Sequence, residues 1–425
     1  MKAVSSEVEV FVAVGHQNLL AGRMHSSRVE GAESASFVYD DSYLAHPDAY
    51  ALDPALPLVT GSLQAPAGRV LFGAFADALP DRWGRMLVRG AEQARAKVTA
   101  TVPRSIGEAD LLLGVRDDLR EGALRFRLGD QPPFLAAESS RPPVLADLPA
   151  LLDLAARAER DAADYEDLRL LVRAGSSLGG ARPKAHVVDD DGRVAIAKFP
   201  SVSWDTWNVM AWEKVALDLA RDADITVPRS QLLQVAGRPV LIVERFDRCD
   251  GTRVGYASAL TMLQAGYGDR RSYLEIAAVI GERSAAVTED LRQLWRRMAF
   301  SILISNTDDH LRNHGFLHGR GGSWNLSPAF DLNPNPAPGP KNLSTAIDFT
   351  DTRASVDTLM NVAGHFRLDL GGALAILAQV ARAVARWPDV ATSHGLAQED
   401  LDVMEPAFAH AESQRAQALT KDVTA

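Results

Sequence analysis

A change in apolar periodicity near residue 255 constrains this chain more than any other feature. Before it, apolar residues fall in short runs with strand-like alternation; after it, they recur mainly at helical spacing. Val8 to Val14 alternates with a period of two and predicts a first strand. Turn signals such as "DDSY", "APAG" and "EGAL" punctuate the region to about residue 130, with one helical piece around "FADALPDRWGRMLVRGAEQARA". The Pro-rich, polar stretch 128–149 predicts a connection, and "ALLDLAARAERDAADYEDLRLLV" predicts a helical segment after it. From Gly175 a glycine-containing loop leads into two strand-like runs around "DDDG", which predicts a hairpin. A helix ("TWNVMAWEKVALDLARDA") and a strand pair ("QLLQVAGRPVLIVERF") follow. In "TEDLRQLWRRMAFSILIS", Leu291, Leu294, Trp295, Met298, Ile302 and Leu303 keep the helical spacing. The pattern predicts an α+β chain, with a mixed sheet lobe first and a helical lobe second.

At 425 residues the chain exceeds one ordinary core, so two or three domains are expected. Boundaries near residues 145 and 250 divide it into segments 1–145, 146–250 and 251–425. The formal net charge of -10 argues against general attraction to nucleic acid or an anionic membrane. Cys249 is the only cysteine, which excludes an intramolecular disulfide and fits a reducing compartment. The N-terminus lacks the pattern of a leader peptide, and the run "MAFSILIS" is too short to span a bilayer. The expectation is a soluble cytoplasmic protein.

Residues 305–316 read "SNTDDHLRNHGF", directly after the apolar helix. One cap residue would end a helix, so the extra Asp308, Asp309 and Asn313 ask for another explanation. Asp308 and Asn313 have the D-x-x-x-x-N spacing of a kinase catalytic loop. There a carboxylate orients the attacking hydroxyl and an amide oxygen ligates Mg²⁺. Asp331, in "SPAFDL" 18 residues further on, supplies another oxygen ligand. Alone, the motif reads equally as a helix cap with a solvated acidic loop. His310, His314 and His318 recur every fourth residue as a zinc face would, but Gly315 and Gly319 interrupt such a helix. Asp308-Asp309-His310 also suits a two-metal hydrolase, which would need more carboxylates nearby.

Two further constellations precede the motif. In "RAGSSLGGARPKAHV", Gly175, Gly179 and Gly180 allow backbone N–H groups to approach phosphate, or else form a flexible turn; no Walker A lysine follows. In "VAIAKF", Lys198 shares a strand face with Val194 and Ile196, where a lysine meets an anion or snorkels to water. Glu213 lies on the next predicted helix, where an ion-pair partner would sit. Glycine loop, strand lysine, helix glutamate, D-x-x-x-x-N and loop aspartate follow one another in the order of a kinase.

The motifs "SSLGGARPK", "VERFDR", "NTDDHLRNHGF" and "LSPAFDL" resemble the HipA family of serine/threonine kinase toxins, and "LFGAFADALPDRWGR" resembles that family's N-terminal coupling region. The resemblance implies a two-lobed protein-kinase-like fold with an added N-terminal subdomain (1–145), an ATP-binding part of the N-lobe (146–250) and a helical C-lobe (251–425). It implies ATP and Mg²⁺ as cofactors, Asp308 as catalytic base, and Asn313 and Asp331 as metal ligands. Lys198 would hold ATP phosphates with Glu213 beside it; Ser177, Gly179, Gly180, Ala181 and Lys184 would form the loop over them. Glu244 and Phe246 would border adenine, His310 would sit in the catalytic loop, and Ser177 would be the inhibitory autophosphorylation site, with Ser176 an equal candidate. A helix-turn-helix antitoxin (HipB-like) is the implied partner, with DNA contacted through it, and a translation protein such as an aminoacyl-tRNA synthetase is the implied substrate. The alternatives are a small-molecule phosphotransferase on the same fold and a catalytically silent antitoxin-binding module. Three departures stand out: "FDL" replaces D-F-G, Asp309 stands where some members have glycine, and "SALTMLQAG" lacks an acidic pair expected there.

Overall fold

The computed structural model describes residues 4–29, 32–129, 134, 142–175, 180–266 and 268–421. It divides into two compact units. One comprises Met1–Trp204, Val243–Gly266 and Leu317–Gly322; the other comprises Asp205–Ile242, Tyr267–Phe316 and Ser323–Ala425.

The first unit opens with an antiparallel sheet. Its strands are β1 (Val4–Val14), β2 (Gln17–Val29), β3 (Ala32–Tyr39), β4 (Ser62–Gln64) and β5 (Leu124–Arg127), in the order β4-β3-β2-β1-β5. The period-two reading of β1 is realised: Val8, Val10 and Val12 are fully buried on one face. Gly15, at φ 57, makes the two-residue turn from Val14 to Gln17. The expected helical piece at 75–96 is two helices, Gly73–Asp77 and Arg82–Val98. Pro80 interrupts the hydrogen-bond ladder, and Asp81 starts the second helix by accepting a bond from Gly84 N at 2.8 Å. Likewise the segment after residue 148 splits into Leu148–Glu159 and Tyr165–Arg173, with Asp161 left-handed at φ 54 between them. The predicted hairpin forms as β6 (Lys184–Val188) and β7 (Val194–Lys198), with Lys184 opposite Lys198.

In the second unit, β8 (Ser230–Val235) and most of β9 (Arg238–Glu244) follow the helix Val209–Asp222. The rest is helical, as the periodicity predicts. The helix Val287–Leu303 is its centre: Leu294, Trp295, Met298, Phe300 and Ile302 are fully buried. Among the described residues no helix is long and apolar enough to cross a membrane.

Candidate active site

The helix Val287–Leu303 delivers the chain to the acidic motif, and a left-handed residue turns it there. Ser305 adopts φ 53, and its hydroxyl donates to the Ala407 carbonyl at 3.0 Å. Asn306 N then bonds back to Ser301 O at 2.8 Å. Asp308 and Asp309, adjacent in sequence, part company: Asp308 is exposed, whereas Asp309 is 4% exposed. His310 N and the side-chain Nδ2 of Asn313 both donate to the Asp308 carbonyl, at 2.8 and 3.0 Å. Asn313 N donates to His310 O at 2.8 Å and closes a one-turn 3₁₀ helix, Leu311–Asn313.

Asp309 faces the interior, where Tyr273 Oη and Ser301 Oγ donate to it (the latter at 3.1 Å) and His314 Nε2 lies at 3.2 Å. Burial by itself would raise this carboxyl, but His314 and the hydroxyl donors hold it below the usual carboxylate value. The loop is also held from a later segment of the same unit. Asn335 Nδ2 donates to Thr307 Oγ1 at 2.8 Å, Ser344 Oγ to Thr307 O at 2.9 Å, and Thr345 Oγ1 to Asp309 O at 2.7 Å. That segment begins with Asp331, left-handed at φ 58, whose Oδ1 accepts from Asn333 at 3.2 Å. Aspartate tolerates this left-handed region better than most side chains, and Asp161, Asp224 and Asp250 adopt it too.

The helix that a zinc face on His310, His314 and His318 requires does not form. His310 precedes the 3₁₀ turn, His314 lies against Asp309, and His318 stacks on Tyr50 with ring centroids 3.6 Å apart. Among the described residues no group of three His, Cys, Asp or Glu side chains is placed to hold a metal ion.

On the first unit, Ser176, Ser177 and Gly179 lie outside the described residues. Gly180 takes φ 114, a conformation that L side chains rarely adopt, and Ala181 is half-buried. Lys184 is 5% exposed, with Nζ 2.8 Å from Asp81 Oδ2. The sequence carries no local signal of this pair, because the partners lie about a hundred residues apart.

Lys198 lies in β7. It does share a face with Val194 and Ile196, but that face is half-exposed; the buried layer is Ala195 and Ala197. The alanines pack against the core and leave the larger residues outward, so the lysine avoids the cost of an apolar layer. Glu213 is 2% exposed on the helix Val209–Asp222 of the other unit.

Alternation also organises the segment after β9. Glu244 and Phe246 are half-exposed, whereas Arg245 and Asp247, which alternate with them, are each 3% exposed. Sequence reading picked out the first pair and missed the second. Its signal was present in "VERFDR": two charges at buried parity demand partners.

The fold is α+β and kinase-like. Over 98% of this chain and 97% of the other, it resembles HipA of Shewanella oneidensis MR-1, solved with HipB and operator DNA, with a TM-score of 0.63 at 14% identity. The proinflammatory kinase CtkA of Helicobacter pylori aligns with 58% of this chain and 94% of its own, with a TM-score of 0.45 at 14% identity. In sequence, residues 12–119 match the HipA N-terminal domain and residues 176–387 the HipA-like C-terminal domain. The chain belongs to the HipA family. A curated relative from Sinorhizobium fredii (strain NBRC 101917 / NGR234), named "Putative kinase Y4dM", is 30% identical over 152 residues. That match spans 32% of this chain and 36% of the relative.

Proposed function

We propose that this chain is an ATP- and Mg²⁺-dependent protein serine/threonine kinase of HipA toxin type. The observation that carries the reading is the split of the two adjacent carboxylates. Asp309 is committed to interior donors, while Asp308 is presented outward on a loop pinned by Asn313, Asn335 and Ser344. A general base must reach an acceptor hydroxyl from a fixed position, and an exposed Asp308 on a pinned loop supports that role. Asn313 and Asp331 would hold Mg²⁺. Both are hard oxygen ligands; Asn313 Nδ2 donates to Asp308 O, and the amide oxygen would be the atom that meets the cation. The metal would supply charge neutralisation on the transferring phosphoryl group.

In this reading Lys198 holds ATP phosphates, Glu213 partners it, and Glu244 and Phe246 border adenine. Gly179, Gly180, Ala181 and Lys184 shape the loop over the phosphates, and His310 keeps the catalytic turn. Ser177 is the autophosphorylation site: a dianion there would repel ATP's own phosphates. The partner is a HipB-like helix-turn-helix antitoxin, and DNA is met through it. The S. oneidensis HipA complex and the acidic net charge of this chain both favour that arrangement. The substrate is a translation protein such as an aminoacyl-tRNA synthetase, and the protein acts in the cytoplasm.

The test is mass spectrometry of the protein after incubation with ATP and Mg²⁺, beside Asp308→Ala. A phosphate on peptides spanning residues 175–184, absent from the variant, is the expected result. A variant that acquires phosphate as fast as the wild type would remove Asp308 from its role. Wild-type protein that binds ATP yet never transfers phosphate, to itself or to added synthetase, would favour a silent binding module.

A further inference from the structure

We infer that Arg245, Asp247 and Arg248 are positioning residues for the nucleotide, and that they make its affinity depend on the loop Asp117–Gly122 of the N-terminal region. The inference rests on the reading of Glu244 and Phe246 as the adenine border, and goes beyond it by saying what holds them there.

The geometry is dense and buried. Arg245 N donates to Val194 O of β7 at 3.0 Å, which fixes the strand end. Its side chain turns the other way. Nε and Nη2 donate to the Asp247 carboxylate at 2.8 and 2.5 Å, Nη1 to Leu119 O at 2.5 Å, and Nη2 also to Arg120 O at 3.0 Å. Asp247 Oδ2 accepts in addition from Gly122 N at 2.7 Å and Arg248 Nη1 at 2.8 Å. Arg248 Nη2 donates to Arg120 O at 2.5 Å. Carbonyls and an amide of the loop therefore meet both arginines and the aspartate that flank Phe246.

The loop is tied in turn to helices of the N-terminal region. Arg120, fully buried, donates to Leu112 O at 2.9 Å and Val115 O at 2.8 Å, and its guanidinium lies 4.6 Å from the Phe126 ring. Asp117 accepts from Arg125 at 2.6 Å and Arg253 at 3.0 Å. Gly122, at φ 71, is tightly placed: a Cβ would stand 3.2 Å from Tyr256 N, and an L side chain would strain this backbone conformation.

Backbone carbonyls fixed by guanidinium forks allow little sliding, because each fork demands planar, paired geometry. A shift of residues 118–122 must therefore move Arg245 and Arg248, and with them the Glu244–Phe246 backbone that alternates with these side chains. By reciprocity, a ligand of the N-terminal region that moves this loop changes nucleotide affinity by the same factor that nucleotide changes its own.

The test uses the full chain and ADP, read by calorimetry, with Arg248→Lys and Gly122→Ala. Neither residue belongs to the proposed nucleotide contacts or the catalytic loop. Lysine keeps the charge but loses the fork, and alanine strains the loop while leaving both arginine side chains in the chain. Each variant is expected to weaken ADP binding roughly tenfold, the scale of one charge-assisted hydrogen bond. In phosphotransfer the loss should fall on KM for ATP, with kcat retained. Variants that melt earlier but bind ADP as the wild type does would reduce the network to stabilisation alone and overturn the inference. Wild-type protein that binds no ADP would instead overturn the nucleotide reading itself. Arg248→Gln, which removes the charge, keeps the test available should Gly122→Ala fail to fold.

Discussion

The segment Glu244–Arg248 and the loop Ser305–Asn313 solve the same problem with different materials. Each presents one residue outward and anchors its neighbour inward, Phe246 against Asp247 in the first and Asp308 against Asp309 in the second. In the first, the buried carboxylate meets two guanidiniums, groups that stay charged at any ordinary pH. In the second it meets two hydroxyls and an imidazole. Arginine pairing brings permanent charge into the interior and is costly to break from one side. Hydroxyl donors bring no charge of their own, and each contributes a smaller, separable share.

The two designs diverge most under substitution. Asp308→Ala leaves both anchors intact and should lower phosphotransfer by about 10²–10⁴-fold, the usual contribution of a positioned general base. Unchanged melting in the same variant would confirm that Asp308 belongs to chemistry and not to the scaffold. Arg245→Ala takes from the buried Asp247 its two-pronged partner, leaving Arg248 and Gly122 N, and should destabilise the first unit by about 3 kcal/mol in chemical denaturation. A loss below 1 kcal/mol would mean that Arg248 alone suffices. Tyr273→Phe removes one of Asp309's donors and should cost only about 1 kcal/mol. A loss as large as that of Arg245→Ala would erase the distinction between the two anchors.

Acid is the mildest probe. Asp309 and Asp247 are both held below the ordinary carboxylate value in the folded chain. In each case burial opposes the shift, His314 overcoming it for Asp309 and Arg245 for Asp247. Their contribution to stability is therefore complete above the unfolded aspartate value of about 3.9 and is lost as pH falls through the lower folded values. Denaturation measured between about pH 5 and 2 should show this decline, and Asp309→Asn should flatten its own part of it.

Much of the fold was legible because its signals are local. Alternation in Val8–Val14 and helical spacing around Trp295 each report one element burying one face. The D-x-x-x-x-N spacing is local in the same sense, since Asn313 Nδ2 bonds to Asp308 O across five residues. Contacts made across the chain were not legible. Nothing near Lys184 announces Asp81, and nothing near Arg245 announces the carbonyls of Leu119 and Arg120. Parity identified which residues share the Lys198 face but could not say which face is covered; the small Ala195 and Ala197 took the core. Helix limits at Pro80 and Asp161 were missed because the apolar spacing runs on across both breaks.

The chain's one cysteine is exposed and directly follows Arg248. A thiol-reactive fluorophore would thus attach at a single site, at the edge of the segment proposed to border adenine, with no engineered residue. Asp250 beside it raises the thiol pKa, so labelling should be done at mildly alkaline pH. Its emission would then report movement of that segment in real time as nucleotide is added.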